Sequence, residues 1–193
     1  MKLAAAILAL AGAALAQDFR VGATVSDFPL RDLDGKATSF AALKGKVTLV
    51  AFISAECPIS NAYNERMNAL FREYSGRVNL IFVNSNANES ADEVRRHARD
   101  SGFNFPVYKD PNNVVADRFG ASRTPETYVI DAAGVVRYHG PIDDSQNPAR
   151  IKKQQLRAAL DAVIEGQPVA IPEAAAFGCT IKKVRREGGA GNE

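Results

Sequence analysis

The side chains best suited to covalent chemistry in this 193-residue sequence are two cysteines, Cys57 and Cys179. Cys57 stands at a seam. Before it, Val47 to Ile53 form a run without charge or proline, rich in Val, Leu, Ile and Phe, that reads as a strand buried on both faces. After it the period changes. Ile59, Tyr63, Met67 and Leu70 fall on one side of a predicted helix over 58–75, with Asn61, Asn64, Glu65, Arg66 and Asn68 on the other. Pro58 takes the first turn, where a helix tolerates proline. A thiol at such a helix start meets unpaired backbone N–H groups and the positive end of the helix dipole, which favours thiolate, the reactive form. The neighbouring carboxylate of Glu56 opposes this if it turns inward, because a nearby negative charge disfavours the thiolate.

Other chemistries lack their residues. The two histidines, His97 and His139, are far apart, and no CxxC, CxxCH or HExxH occurs, so neither a metal nor a cofactor is expected. A net charge of +2 gives no electrostatic case for nucleic acid. The basic cluster Lys182, Lys183, Arg185 and Arg186 reads as a solvated tail. Residues 1–16, MKLAAAILALAGAALA, have one lysine, a short apolar run and a small-residue ending, the pattern of a cleaved secretory signal. The expectation is an exported protein, periplasmic or extracellular, without stable membrane insertion after cleavage, and a single domain over 17–193. In an exported chain an even cysteine count invites a disulfide, but the residues leave open whether Cys57 and Cys179 pair, and an inert buried thiol is an alternative. Asn88-Glu89-Ser90 also fits a glycosylation sequon.

Several elements must position Cys57. Asp34-Gly35 sits between alternating segments and predicts a hairpin, with Phe28, Leu30, Phe40 and Leu43 on the core side. A second buried strand over 78–83 breaks at NSNANES, at the Cys57 end of the sheet if the strands are parallel. Ser90 and Glu93 form a capping box for a helix to about Asp100, and Asp110-Pro111 opens another over 111–119. Strand and helix thus alternate, which predicts an α/β layer fold with a mostly parallel sheet. TPETYVIDAAGVVRYHG then reads as an antiparallel hairpin with Pro125 at its entrance. A final helix ends at Gly166. From about 167, Pro168 and Pro172 keep an extension open that delivers Phe177-Gly178-Cys179 after the compact fold is complete.

A β–Cys–α seam followed by Thr124-Pro125-x-x-Tyr128-Val129-Ile130-Asp131 resembles the thioredoxin superfamily, and most closely its redoxin domains of the AhpC/TSA type. Cys57-Pro58, Gly140-Pro141-Ile142-Asp143-Asp144-Ser145 and Gly178-Cys179-Thr180-Ile181-Lys182 are similar to a peroxiredoxin-like group within them. The resemblance implies a thioredoxin-like α/β fold: a central mixed sheet flanked by helices, with an N-terminal hairpin and a C-terminal extension. It also implies that the loop carrying Thr124 and a cis Pro125 faces Cys57. Two departures bear on activity. Ser60 stands where thioredoxins carry the second cysteine of CxxC. Ser54 matches the Thr or Ser three residues before a peroxidatic cysteine, but Val50 replaces the proline seven before it, and Pro125 stands where peroxiredoxins place an arginine.

The function this implies is an exported thiol–disulfide oxidoreductase. Cys57 is the nucleophile, and Cys179 or an external thiol resolves the mixed disulfide. Ser54, Pro58, Ser60, Arg123, Thr124 and Pro125 form the thiolate environment. Ser54 and Ser60 can either donate to sulfur or satisfy nearby backbone, and Arg123 can either face the thiolate or be solvated. The partners are protein or small-molecule thiols and disulfides, with an external thiol reductant. A thiol peroxidase acting on hydroperoxides, and a redox-inactive module with a structural Cys57–Cys179 disulfide, are the alternatives.

Overall fold

The structure is a computed structural model and describes residues 19–185, so the signal pattern over 1–16 lies outside the described residues. In chain order the elements are β1 (Pro29–Asp32), β2 (Ala37–Ser39), α1 (Phe40–Leu43), β3 (Thr48–Ile53), α2 (Pro58–Asn61), α3 (Asn64–Tyr74), β4 (Asn79–Asn84), α4 (Ala91–Asp100), β5 (Val107–Lys109), α5 (Val114–Phe119), β6 (Arg123–Thr124), β7 (Glu126–Ile130), β8 (Val136–Gly140), α6 (Gln155–Ile164) and β9 (Cys179–Thr180). β1 to β5, β7 and β8 make one sheet in the order β2-β1-β5-β4-β3-β7-β8, and β6 pairs with β9 in a separate two-stranded ribbon.

β3 lies inside the sheet and all six of its residues are buried, as its uninterrupted apolar run requires. Its side chains alternate between two layers. Leu49, Ala51 and Ile53 pack with Tyr63, Met67 and Leu70 and with Leu156 and Leu160 of α6. Val50 and Phe52 pack on the other face with Phe28, Val115, Phe119 and Tyr128. A two-residue period thus divides one strand between two cores.

The sheet is mixed where a mostly parallel one was expected from the alternation of elements. β3–β4 and β4–β5 are parallel, because α3 and α4 supply the crossovers, whereas β1–β2, β1–β5, β3–β7 and β7–β8 are antiparallel. Turn signals show hairpins, but not that β1 returns to pair with β5 across the sheet.

The single helix expected over 58–75 is also two. α2 ends at Asn61, Tyr63 N–H donates to the Ser60 carbonyl at 2.9 Å, and α3 starts at Asn64. That tight turn swings Tyr63 into the core, where its hydroxyl donates to Asp143 at 3.0 Å. The Arg66 guanidinium lies 3.6 Å from the centre of the Tyr63 ring and bonds Asp143 at 2.6 Å. No glycine or proline marks the break, and the partner that favours it is 80 residues away in sequence.

Beyond α6 the chain runs as a strap. His139 N–H donates to the Pro172 carbonyl at 2.9 Å and Ala174 N–H to the His139 carbonyl at 3.0 Å, which covers the outer edge of β8. The strap then pairs through β9 with β6, buries Ile181, and ends against Asn86 and Asn113, whose side-chain oxygens accept from Lys182 N–H at 2.8 Å and Val184 N–H at 2.7 Å.

Candidate active site

Cys57 is the N-cap of α2 and is almost completely buried, at 4 % exposure. The Ser60 N–H donates to its sulfur at 3.3 Å, and Pro58 occupies the next position without needing an amide partner. α2 has only four residues, so this individual N–H group, rather than a long helix dipole, is what a negative sulfur meets. Glu56 is exposed and accepts a hydrogen bond from Asn88 at 2.7 Å, so its carboxylate turns away from the site.

The two serines serve the backbone. Ser60 Oγ accepts from Ser54 N–H at 3.1 Å, and Ser54 Oγ accepts from Cys57 N–H at 3.0 Å. Neither hydroxyl donates to sulfur here. Ser54 Oγ–H is committed to Glu89 Oε1 at 2.5 Å.

Glu89, which lies outside the thiolate environment expected from the sequence, braces the turn that carries Cys57. Its buried carboxylate also accepts from Ala55 N–H at 2.8 Å, Glu56 N–H at 3.4 Å and the Asn84 amide at 2.5 Å. It therefore holds the whole 54–56 turn and, through Ser54, the amide of Cys57. Lys109 fixes this loop from below, its Nζ donating to the Glu89 carbonyl at 2.6 Å and to Asn84 Oδ1 at 2.6 Å. Burial pulls the Lys109 pKa below the usual lysine value. The available signal was a glutamate just before an N-cap serine, in the loop that follows the strand beside β3.

The opposite wall is the loop before β7. The Thr124–Pro125 peptide is cis, as the resemblance implies, and both residues are buried. The Thr124 carbonyl oxygen lies 3.5 Å from the Cys57 sulfur, and Thr124 Oγ1 is buried without a partner among the described residues. Arg123 is exposed on the other side of β6, where its guanidinium donates to Thr180 Oγ1 at 2.9 Å. It secures the strap and makes no contact with sulfur.

Cys179 is disulfide-bonded to Cys57, with Cα atoms 5.9 Å apart, inside the span that a disulfide needs. β9 sets this approach by pairing Thr124 with Cys179 and Arg123 with Thr180. Gly178 makes it possible, since a β-carbon there would sit 2.0 Å from the Thr124 carbonyl oxygen.

A second buried carboxylate braces the same loop from behind. Glu126 Oε2 accepts from Ser122 N–H and Arg123 N–H, both at 2.8 Å, and Oε1 meets Tyr128 Oη at 3.0 Å and His139 Nε2 at 2.7 Å. On its far side His139 Nδ1 lies 3.4 Å from Glu173 of the strap. Burial alone would lower the His139 pKa, but the hydrogen bond to Glu126 and its charge, with Glu173 behind, outweigh it and raise the value. Burial would raise Glu126, but the hydrogen bonds it accepts, His139 foremost, hold it below the usual carboxylate range. The His139 contribution to stability is therefore full below the usual histidine value of 6.5 and is lost as pH rises through its raised folded value. That of Glu126 is full above the usual 4.5 and is lost as pH falls through its lowered folded value. Thermal unfolding between about pH 5 and pH 9 should show stability declining on the alkaline side, and His139→Gln should flatten that decline. An unchanged alkaline slope in the variant would remove His139 as its source.

A model of the AhpC/TSA family matches residues 21–139, which takes in Cys57 and the cis-proline loop and stops short of the strap. The thiol-disulfide oxidoreductase ResA of Halalkalibacterium halodurans is 32% identical over 122 residues, spanning 62% of this chain and 68% of its own. The crystal structure of a hypothetical protein from Sinorhizobium meliloti 1021 superposes with a TM-score of 0.78 at 30% identity, covering 88% of this chain and 98% of that one. The thioredoxin domain of a thiol-disulfide oxidoreductase from Bacteroides vulgatus, 16% identical with a TM-score of 0.52 over 61% of this chain and 85% of its own, shares the fold.

Proposed function

We propose that this chain, which belongs to the AhpC/TSA family, is a thiol–disulfide oxidoreductase whose working couple is Cys57 and Cys179. The observation that carries the reading is the disulfide itself, formed between a helix-cap cysteine beside a cis-proline and a cysteine brought in by the strap. Such a couple cycles between disulfide and dithiol by exchange with an outside thiol or disulfide, borne by a protein or a small molecule, and an external thiol returns it to the reduced form. Within the site the Ser60 N–H stabilises a negative Cys57 sulfur, and Pro125 and Thr124 form the wall against it. Among the described residues no helix is long and apolar enough to cross a membrane. We place the activity outside the cytosol, the kind of compartment in which such a disulfide persists, on the strength of the signal pattern over 1–16.

Turnover of a disulfide substrate by the wild type, set beside Cys57→Ser and Cys179→Ser, tests this reading together with the reduction potential of the couple. The wild type should turn over, both variants should fall to the rate of a free thiol, and the potential should lie above about −300 mV. A potential well below that value, with turnover indifferent to both substitutions, would leave a structural cross-link only.

A further inference from the structure

We propose that the partner bonds to Cys179, and that Cys57 never leaves the interior of the protein. This rests on the oxidoreductase reading and adds to it which sulfur meets the partner. The two half-cystines are not equally placed. Cys57 is 4 % exposed, its sulfur lies between the Ser60 N–H and the Thr124 carbonyl, and the strap closes over it. Cys179 is half-buried, as are Phe177 and Gly178 before it, and Thr180 after it is exposed.

Leaving-group chemistry points the same way. In thiol–disulfide exchange the sulfur that leaves faster is the one better able to carry negative charge. Cys57 has an N–H donor fixed 3.3 Å from its sulfur, whereas no hydrogen bond reaches the Cys179 sulfur among the described residues.

The exchange runs as follows. A partner thiolate attacks the Cys179 sulfur, a new sulfur–sulfur bond forms between partner and Cys179, and the Cys57–Cys179 bond breaks with its electron pair going to Cys57. A second partner thiolate then attacks the partner sulfur of the mixed disulfide. It leaves as a partner disulfide, and Cys179 takes the electron pair. The partner dithiol is oxidised, the protein disulfide is reduced, and the two protons lost by the partner balance those gained by the two cysteines. In reverse, Cys179 attacks a partner disulfide and the Cys57 thiolate resolves the product. Cys57 keeps the nucleophile's part, but it acts on Cys179 within the molecule.

The test uses the oxidised wild-type protein and reduced glutathione. Samples are quenched with acid at early times, free thiols are alkylated, and the two cysteine peptides are resolved by mass. Expected is glutathione on Cys179 and the alkyl group on Cys57, with the reverse pattern lower by roughly tenfold or more. Glutathione chiefly on Cys57 would overturn the assignment while leaving the oxidoreductase reading intact. A disulfide that glutathione and dithiothreitol both fail to open would overturn the oxidoreductase reading itself, and this assignment with it.

Discussion

Gly178→Ala should leave the air-oxidised protein with two free thiols where the wild type has none. The added β-carbon would lie 2.0 Å from the Thr124 carbonyl oxygen and 2.7 Å from its carbon, and these are backbone atoms that cannot rotate aside. The φ of +151° at Gly178 is a second obstacle, since residues with a β-carbon rarely adopt it. β9 would lose its register on β6, and Cys179 would no longer be presented to Cys57. The bond closes a loop with a sequence separation of 122, so its loss should cost up to about 4–5 kcal/mol in the chain-entropy account. Counting alkylated thiols by mass and comparing denaturation with Cys179→Ser, which keeps the glycine and loses the bond, checks both parts. A fully formed disulfide at unchanged stability would mean that the strap shifts as a body to accept the methyl group, and that the close approach at Thr124 is not required.

Glu89→Ala should be nearly as damaging, for a different reason. It removes the acceptor for the Ser54 hydroxyl, the Ala55 N–H and the Asn84 amide inside a region that water barely reaches. A buried donor left without a partner costs about 1–3 kcal/mol, so the loss should come to about 3–5 kcal/mol even with some relaxation. The 54–56 turn that presents Cys57 would loosen, and closure of the disulfide from the reduced protein should slow along with the fall in stability. Glu89→Gln keeps an acceptor oxygen but turns an amide NH₂ toward the other donors, and should fall between the two. Chemical denaturation of the reduced proteins isolates the effect from the cross-link. A change within about 0.5 kcal/mol would show that water replaces the carboxylate at no appreciable cost.

These two residues mark the border of what is legible without coordinates. Cys57 could be found because a buried strand and a helical pattern meet there, and both are local periodicities. The capping box of Ser90 and Glu93, the Asp34-Gly35 turn and the hairpin around Gly134 are equally local, and all three are formed. In the sequence Glu89 is one of six polar residues in NSNANES. Nothing in that loop announces that β4 lies beside β3, which is what carries the carboxylate to the Cys57 turn. Gly178 looked like a spacer in the extension, and only the neighbouring carbonyl of Thr124 shows why a glycine stands there. Chain proximity to Pro125 leaves Arg123 free either to face the thiolate or to be solvated; β6 alternates like any strand and sends it to the opposite side from Thr124. His139 and Glu126, thirteen residues apart, meet because β7 and β8 pair.

The residues alone are enough for the alternation of strands and helices, the double burial of β3, the place of Cys57 at a helix start and the likeness to the redoxin domains. The first three depend on residues close together in the chain, where spacing and side-chain type fix the outcome, and the likeness depends on short motifs met in order along it. The tertiary structure alone decided that Cys57 and Cys179 are bonded, that Cys57 is the hidden sulfur of the two, and that Glu89 and Glu126 brace the turns on either side. Such meetings depend on the packing of distant segments, and a buried carboxylate or a close backbone approach is visible only once its neighbours are in place.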